Sequence, residues 1–207
     1  MSTYDSINFY RNLKFEERDY LNNVLNSLSL YIFLDSYMLE KATNSKYRIN
    51  ILNKAVKHNI LIKNVLDKQF FYTIGGDGYK ILSKSNKIYR ELNIMCTTDE
   101  LESILSLNEY LINNNIDLKF NSFLDIEIAV VNNSAIHTCN KQKAINSIKR
   151  MLEKESKEPL TNDDILDNYE FVFVEKCFDL LETNSVLNER LNIKNISKTQ
   201  TDEEYKI

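Results

Sequence analysis

The chain has 207 residues, of which 43% are apolar and 27% are charged, and its formal net charge is −4. This composition excludes a disordered chain and predicts an ordinary buried core. No apolar run approaches the roughly 20 residues that a membrane span needs, and residues 1–10 lack the basic and apolar regions of a signal peptide. We therefore expect a cytoplasmic protein of one or two domains.

Positive charge is concentrated in one segment. Residues 41–90 contain 11 Lys or Arg but only 2 Asp or Glu, a balance of +9, whereas the remaining residues have a balance of −13. A basic block inside an acidic chain is typical of a protein that binds a polyanion, most often nucleic acid. The cysteines, Cys96, Cys139 and Cys177, are odd in number and far apart, so we expect buried free thiols.

Three helices are expected before residue 60. Residues 1–14 are expected to form a loose lead-in, and apolar spacing predicts the first helix over Glu16–Phe33. A short second helix follows over Tyr37–Ala42, with Asp35 or Ser36 as its N-cap. The third helix is predicted over Lys46–His58, with Ser45 as its cap.

A hairpin and a further helix should follow. Strands are predicted over Ile60–Lys63 and Gln69–Ile74, with residues 64–68 as their connection. The Gly75-Gly-Asp-Gly78 cluster then leads into a helix over Tyr79–Leu92. Three helices, a hairpin and a helix form the order of a winged helix-turn-helix. We therefore expect an α+β protein whose residues 1–94 form a winged helix-turn-helix DNA-binding domain.

The remaining chain is expected to form a small α/β domain over residues 95–196 and a flexible tail over residues 197–207. Its pattern predicts a helix from Thr97 to Asn113, strands within residues 118–139, and a helix over Lys141–Glu155. A strand over Tyr169–Val174 and a closing helix over Glu175–Leu191 should complete it.

The third predicted helix carries the candidate recognition residues. Asn side chains can bind adenine in the major groove, and Lys and Arg can reach guanine or phosphate. Five of these residues have the spacing of one helical face, and Arg48 lies near the N-terminus of the same helix. The proposed readers are Lys46, Arg48, Asn50, Asn53, Lys54 and Lys57. A solvated basic face without a ligand is the alternative interpretation.

The predicted hairpin would act as the wing. Lys63 and Lys68 would contact the phosphate backbone or the adjacent minor groove. Lys80, Lys84, Lys87 and Arg90 follow in the next helix, where they could contact phosphate or pair with the acidic C-terminal half.

The glycine cluster does not match a nucleotide-binding motif, because both the Walker and the dinucleotide-binding spacings are missing. We expect instead that the glycines allow a tight exit from the second strand into the next helix. No cofactor is expected.

The segment from Leu28 to Leu82 resembles the winged-helix domain of the plasmid replication-relaxation family. The resemblance is carried by residues 32–39 (IFLDSYML), 52–62 (LNKAVKHNILI) and 71–75 (FYTIG), with Gly78 and Ile81-Leu82 after them. It covers about a quarter of the chain and implies a DNA-binding protein of a plasmid, phage or other mobile element. Such a protein would act in transcriptional regulation, replication or DNA transfer, and it would be no enzyme.

Alternative interpretations concern mainly the C-terminal half. Asp125 and Glu127 would lie on one face of a strand, as metal-binding carboxylates of a nuclease would, but no Glu-x-Lys follows. His137 and Cys139 could supply only two ligands of a zinc site, which is too few. The acidic half could instead bind a protein partner or form a homodimer, and the winged helix itself could be a protein-interaction module.

Overall fold

The computed structural model describes residues 3–66, 69–83, 98–119, 122–156, 160–176, 178–180 and 193–196. The chain divides into two compact units, residues 1–95 and 96–207. Each unit contains both helices and strands, which confirms the expected α+β class. Among the described residues, no helix has the length and apolar character that crossing a membrane requires.

The described part of the first unit alternates helices with short strands. Its elements are α1 (Thr3–Asn12), α2 (Phe15–Tyr31), β1 (Leu34–Asp35), α3 (Ser36–Thr43), α4 (Ile49–Lys57), β2 (Leu61–Leu66), β3 (Gln69–Ile74) and α5 (Gly76–Ser83). The strands form an antiparallel sheet in the order β1-β3-β2. The strand β1 has only two residues, too few for a period in the sequence to indicate it.

The core of this unit forms around α2. Its apolar stripe, predicted from helical spacing, is buried and includes Leu21, Val24, Leu25 and Leu28. Helix α2 contacts α3, α4, α5 and β3, so the longest described helix of the unit organises the others around it.

The prediction that residues 1–14 lack regular structure is wrong, because α1 occupies most of this segment. The hydroxyl of Ser6 donates to the buried carboxylate of Asp77 over 2.9 Å. The ring of Phe9 stacks on His58, with 4.2 Å between the ring centroids. These partners are distant in sequence, so local patterns could not indicate that α1 is held against the domain.

The start of α4 also differs from the prediction. Asp35 is the N-cap of α3, as expected, and accepts the Met38 backbone N–H over 2.7 Å. The Ser45 hydroxyl, however, donates to the carbonyl of Thr43 at the end of α3. It does not cap α4, which begins at Ile49. Lys46 therefore precedes the helix.

The glycine cluster forms the start of α5, so this helix begins earlier than the predicted Tyr79. A Cβ atom on Gly75 would lie 2.3 Å from the carbonyl oxygen of Asn59. A Cβ atom on Gly78 would lie 2.3 Å from that of Ile60. None of the three glycines has a positive φ. Glycine is thus required at positions 75 and 78 by close approach of two backbone segments, and not by a left-handed turn.

The second unit is organised around a mixed sheet. Its described elements are α6 (Thr98–Asn113), β4 (Phe123–Asp125), β5 (Ile128–Val131), β6 (Ser134–His137), α7 (Lys141–Ser156), α8 (Asn162–Asn168), β7 (Glu170–Phe173), β8 (Phe178–Leu180) and β9 (Ile193–Ile196). The sheet order is β4-β5-β6-β7, and β8 pairs with β9. Strands β6 and β7 are parallel, and α7 and α8 form the crossover between them.

One prediction for the second unit is wrong, and one helix was not predicted. Residues 178–180 form a strand where the closing helix over Glu175–Leu191 was expected; residues 181–191 of that helix lie outside the described residues. The sequence also did not indicate α8, which Thr161 and Asp164 start with a capping box. Strand formation at residues 178–180 depends on pairing with β9, which helical spacing within one segment cannot reveal.

Candidate nucleic-acid interface

One face of α4 is buried and the other is open to solvent. Ile51, Leu52 and Ala55 face the core and are almost inaccessible. The opposite face consists of four exposed residues at helical spacing, Asn50, Asn53, Lys54 and Lys57. We call these four residues, with Lys46 and Arg48, the basic face. The segregation arises because the apolar and polar residues alternate with the period of a helix.

Lys46 and Arg48 reach this surface from the segment that leads into α4. Both are exposed. Arg48 occupies the N-cap position but makes no side-chain capping hydrogen bond. Its guanidinium carbon lies over the ring of Tyr20, 5.4 Å from the ring centroid. The structure thus places all six predicted readers at exposed positions, although only four belong to the helix.

Two acidic side chains of the first unit, Asp77 and Glu40, bind other groups. Asp77 is 5% exposed and binds Ser6 and Lys80, the latter over 3.0 Å. Glu40 accepts the backbone N–H of Tyr47 over 2.7 Å. In the part of the chain that the structure describes, no ion pair joins a carboxylate to Lys46, Arg48, Lys54 or Lys57. These four cations therefore form no close ion pair among the described residues, although Glu16 and Glu17 line a groove that also contains Arg48.

Of the two lysines predicted to lie in the wing, the structure describes only Lys63, in the hairpin of β2 and β3. Lys63 is half-buried, and its ammonium group lies 3.5 Å from the centroid of the Phe70 ring. Phe70 itself is 38% exposed, so this cation–π pair lies at the surface of the hairpin. Lys68 lies outside the described residues, as do Lys84, Lys87 and Arg90.

A groove beside the basic face was not predicted. Its volume is about 560 Å³, and it lies between the first turn of α2 and the start of α4. The residues that line it are Lys14, Phe15, Glu16, Glu17, Arg48 and Ile51. Phe15 is 84% exposed, which is unusual for a phenylalanine. Only the docking of α4 on α2 brings these residues together.

The carboxylates considered for a nuclease do not share a strand face, so that expectation is wrong. Asp125 ends β4, whereas Glu127 lies in the turn before β5. Glu127 forms ion pairs with Lys143 and Lys176. Glu127 thus lies in the hairpin turn and not on the strand, and it is paired with lysines. Among the described residues, no group of three or more His, Cys, Asp or Glu side chains could hold a metal ion.

His137 and Cys139 belong to the core of the second unit. His137 is fully buried, and its Nδ1 atom lies 2.8 Å from the Cys139 carbonyl oxygen, to which Nδ1–H can donate. The ring makes edge contacts with Phe171 and Phe173. Burial raises the pKa of the Cys139 thiol to about 11, so it is no activated nucleophile at neutral pH. The expectation of a buried free thiol is confirmed for this cysteine.

Because His137 is buried, we expect the free energy of unfolding to depend on pH. Burial lowers the pKa of His137 below its ordinary value of 6.5, so the unfolded chain takes up the proton first. Its contribution to the free energy of unfolding is complete above pH 6.5 and is lost as the pH falls from there toward the folded pKa. Urea unfolding between about pH 5 and 7.5 should show this decline.

The matched variant is His137→Asn, whose amide N–H can replace the donor to the Cys139 carbonyl without titrating. We expect its free energy of unfolding to depend less on pH over the same range. An identical pH dependence in the variant would contradict the assignment to His137.

No protein-family model, curated protein or solved structure matches this chain. The resemblance to the plasmid replication-relaxation family therefore stays a prediction.

Proposed function

We propose that the first unit is a winged helix-turn-helix domain that binds double-stranded DNA in a sequence-specific manner. The order of α2, β1, α3, α4, β2 and β3, with a sheet in the order β1-β3-β2, supports this assignment. In this arrangement α3 and α4 form the helix-turn-helix, α4 is the recognition helix, and the hairpin of β2 and β3 is the wing.

The observation that carries the proposal is the basic face. A helix that reads DNA needs a solvent-exposed side with hydrogen-bonding and cationic side chains, and a buried side that holds it to the domain. Helix α4 has both, and the cations of the basic face have no described ion-pair partner. A polyanion could therefore bind without first displacing a carboxylate.

The residues of the basic face have different expected roles. Asn50 and Asn53 are suited to bidentate contacts with adenine, which carry sequence information. Lys54 and Lys57, in the last turn of α4, reach guanine or phosphate. Phosphate contacts give affinity and register but no specificity, so the asparagines should determine the preferred site.

The biological setting is proposed only from the resemblance to the plasmid replication-relaxation family. We propose a protein of a plasmid, phage or other mobile element that acts in transcriptional regulation, replication or DNA transfer. The second unit would form a homodimer or bind a protein partner, since two copies would place two recognition helices on a symmetric site.

The experiment that tests the function is a salt titration of duplex binding. A labelled duplex of mixed sequence is titrated with the protein at about 50 to 200 mM salt, because each phosphate contact contributes about −0.9 to the slope of log K against log salt. We expect binding at low salt with a steep negative slope. Absence of binding at the lowest salt would contradict the proposal and favour a protein-interaction module.

A further inference from the structure

The start of α4 is held by side chains from other elements and not by its own cap. The N-cap residue Arg48 makes no side-chain capping hydrogen bond, and Ser45 donates to the preceding turn. A helix whose first turn lacks a local cap needs other contacts to define its position. In this unit, those contacts come from a group of tyrosines.

Tyr20 contacts Arg48 in two ways. Its hydroxyl oxygen accepts the Arg48 backbone N–H over 3.2 Å. Its ring lies beneath the guanidinium group, 5.4 Å from the ring centroid to the guanidinium carbon. Tyr20 is 3% exposed and belongs to α2, the organising helix of the unit. One rigid side chain thus holds both the backbone and the charged group of a proposed DNA-binding residue.

A second pair of tyrosines anchors the preceding residue. The hydroxyl groups of Tyr47 and Tyr72 lie 2.6 Å apart, and Tyr72 is completely buried on β3. Glu40 of α3 accepts the Tyr47 N–H. Burial raises the pKa of Tyr72, so its hydroxyl is protonated at neutral pH. The segment before α4 is therefore tied to α3 and β3 as well as to α2.

From this arrangement we infer that Tyr20 is a positioning residue of the DNA surface, which holds Arg48 in the orientation that contacts DNA. This inference rests on the proposed function. The hydrogen bond from Tyr20 fixes the Arg48 backbone from which the side chain projects, and a segment that is already ordered loses less entropy on binding. We expect this smaller entropy loss to increase affinity for a specific DNA site, where the contacts depend on the orientation of Arg48.

The test compares Tyr20→Phe with a closely matched control, Tyr10→Phe. Tyr20→Phe removes only the hydroxyl group and keeps the ring beneath Arg48. In the control, the hydroxyl of Tyr10 also makes one hydrogen bond, to Asn22 over 2.6 Å, and Arg18 lies over its ring at 5.8 Å. Tyr10 lies on α1 and has no described contact with the basic face, so the two variants remove the same group at different places, although the Tyr10 hydroxyl donates its hydrogen bond and the Tyr20 hydroxyl accepts one.

The first readout is amide hydrogen exchange of the free protein, which does not depend on DNA. We expect exchange at Arg48 to accelerate about fivefold to tenfold in Tyr20→Phe, as loss of one hydrogen bond predicts, and to stay unchanged in Tyr10→Phe. Unchanged exchange at Arg48 in Tyr20→Phe would overturn the inference even if the protein binds DNA well.

The second readout is affinity for two duplexes, one selected by the wild-type protein from random sequences and one of mixed sequence. We expect Tyr20→Phe to bind the selected duplex about tenfold more weakly, with the same mixed-sequence affinity and the same salt slope, since no charge is lost. Equal losses on both duplexes would indicate a merely structural role and overturn the inference. Failure of the wild-type protein to bind either duplex would instead overturn the proposed function, and the exchange data would still decide whether Tyr20 positions Arg48.

Discussion

The double variant Lys54→Glu/Lys57→Glu is expected to bind duplex DNA about 100-fold more weakly than the wild-type protein at low salt. Both lysines are exposed in the last turn of α4, so their replacement disturbs no described packing contact. Each substitution would remove one proposed phosphate contact and add a charge that repels DNA. The slope of log K against log salt should therefore become shallower by about two.

The matched control is Arg150→Glu/Lys154→Glu on α7, which changes the net charge by the same amount at two exposed helical positions. We expect this control to retain most of the affinity, because the proposed contact is local to α4. Thermal unfolding of both variants should accompany the titrations, since acidic residues in a last helical turn cost about 0.3–1 kcal/mol. Equal losses of affinity in the two variants would show that net charge matters and that the basic face does not.

Gly78→Ala is expected to lower the free energy of unfolding by about 3 kcal/mol. The added Cβ would lie 2.3 Å from the Ile60 carbonyl oxygen and 2.8 Å from the Ile74 Cγ2 atom. Neither distance is compatible with van der Waals contact, and the first neighbour is backbone, so α5 would have to move away from β2. Gly75→Ala should behave similarly, because its Cβ would lie 2.3 Å from the Asn59 carbonyl oxygen.

Gly76→Ala is the control within the same cluster. A Cβ at this exposed position would meet only the Asn59 amide nitrogen at 3.5 Å, an ordinary contact. We expect it to be neutral or to stabilise by up to about 1 kcal/mol, since Ala has a higher helix propensity than Gly. Urea unfolding of the three variants would measure these differences. A stability loss in Gly76→Ala equal to that in Gly78→Ala would contradict the proposed role of close backbone approach.

Sequence reasoning was most successful where a feature depends on neighbouring residues. The face of α4 that contains Asn53 and Lys54 could be predicted because a helical period of apolar residues determines which side is buried. The cap at Asp35 could be predicted because an N-cap is a local hydrogen bond. The same reasoning wrongly placed Lys46 inside α4. Ser45 was expected to cap this helix, but its hydroxyl donates instead to the carbonyl of Thr43.

The candidate site could be predicted only in part. The types and approximate positions of its six residues follow from the sequence, and their exposure agrees with the structure. The partners that order the site do not follow, because Tyr20 lies on another helix and Tyr72 on a strand. The position of Glu127 was also missed, since this residue lies in a hairpin turn that replaces the continuous strand that alternation predicted.

By itself, the sequence determined that a basic segment is separated from an acidic remainder, that α4 is amphipathic, and that a hairpin follows it. These properties depend on composition and on the spacing of apolar residues, with a period of two in a strand and 3.6 in a helix. Both can be recognised within a short segment of sequence. The tertiary structure alone decided that α1 covers the end of α4, that glycine is required at positions 75 and 78, and that Arg48 rests on Tyr20. Each of these depends on contacts between residues that are far apart in the chain, and the sequence pattern of a short segment cannot predict such contacts.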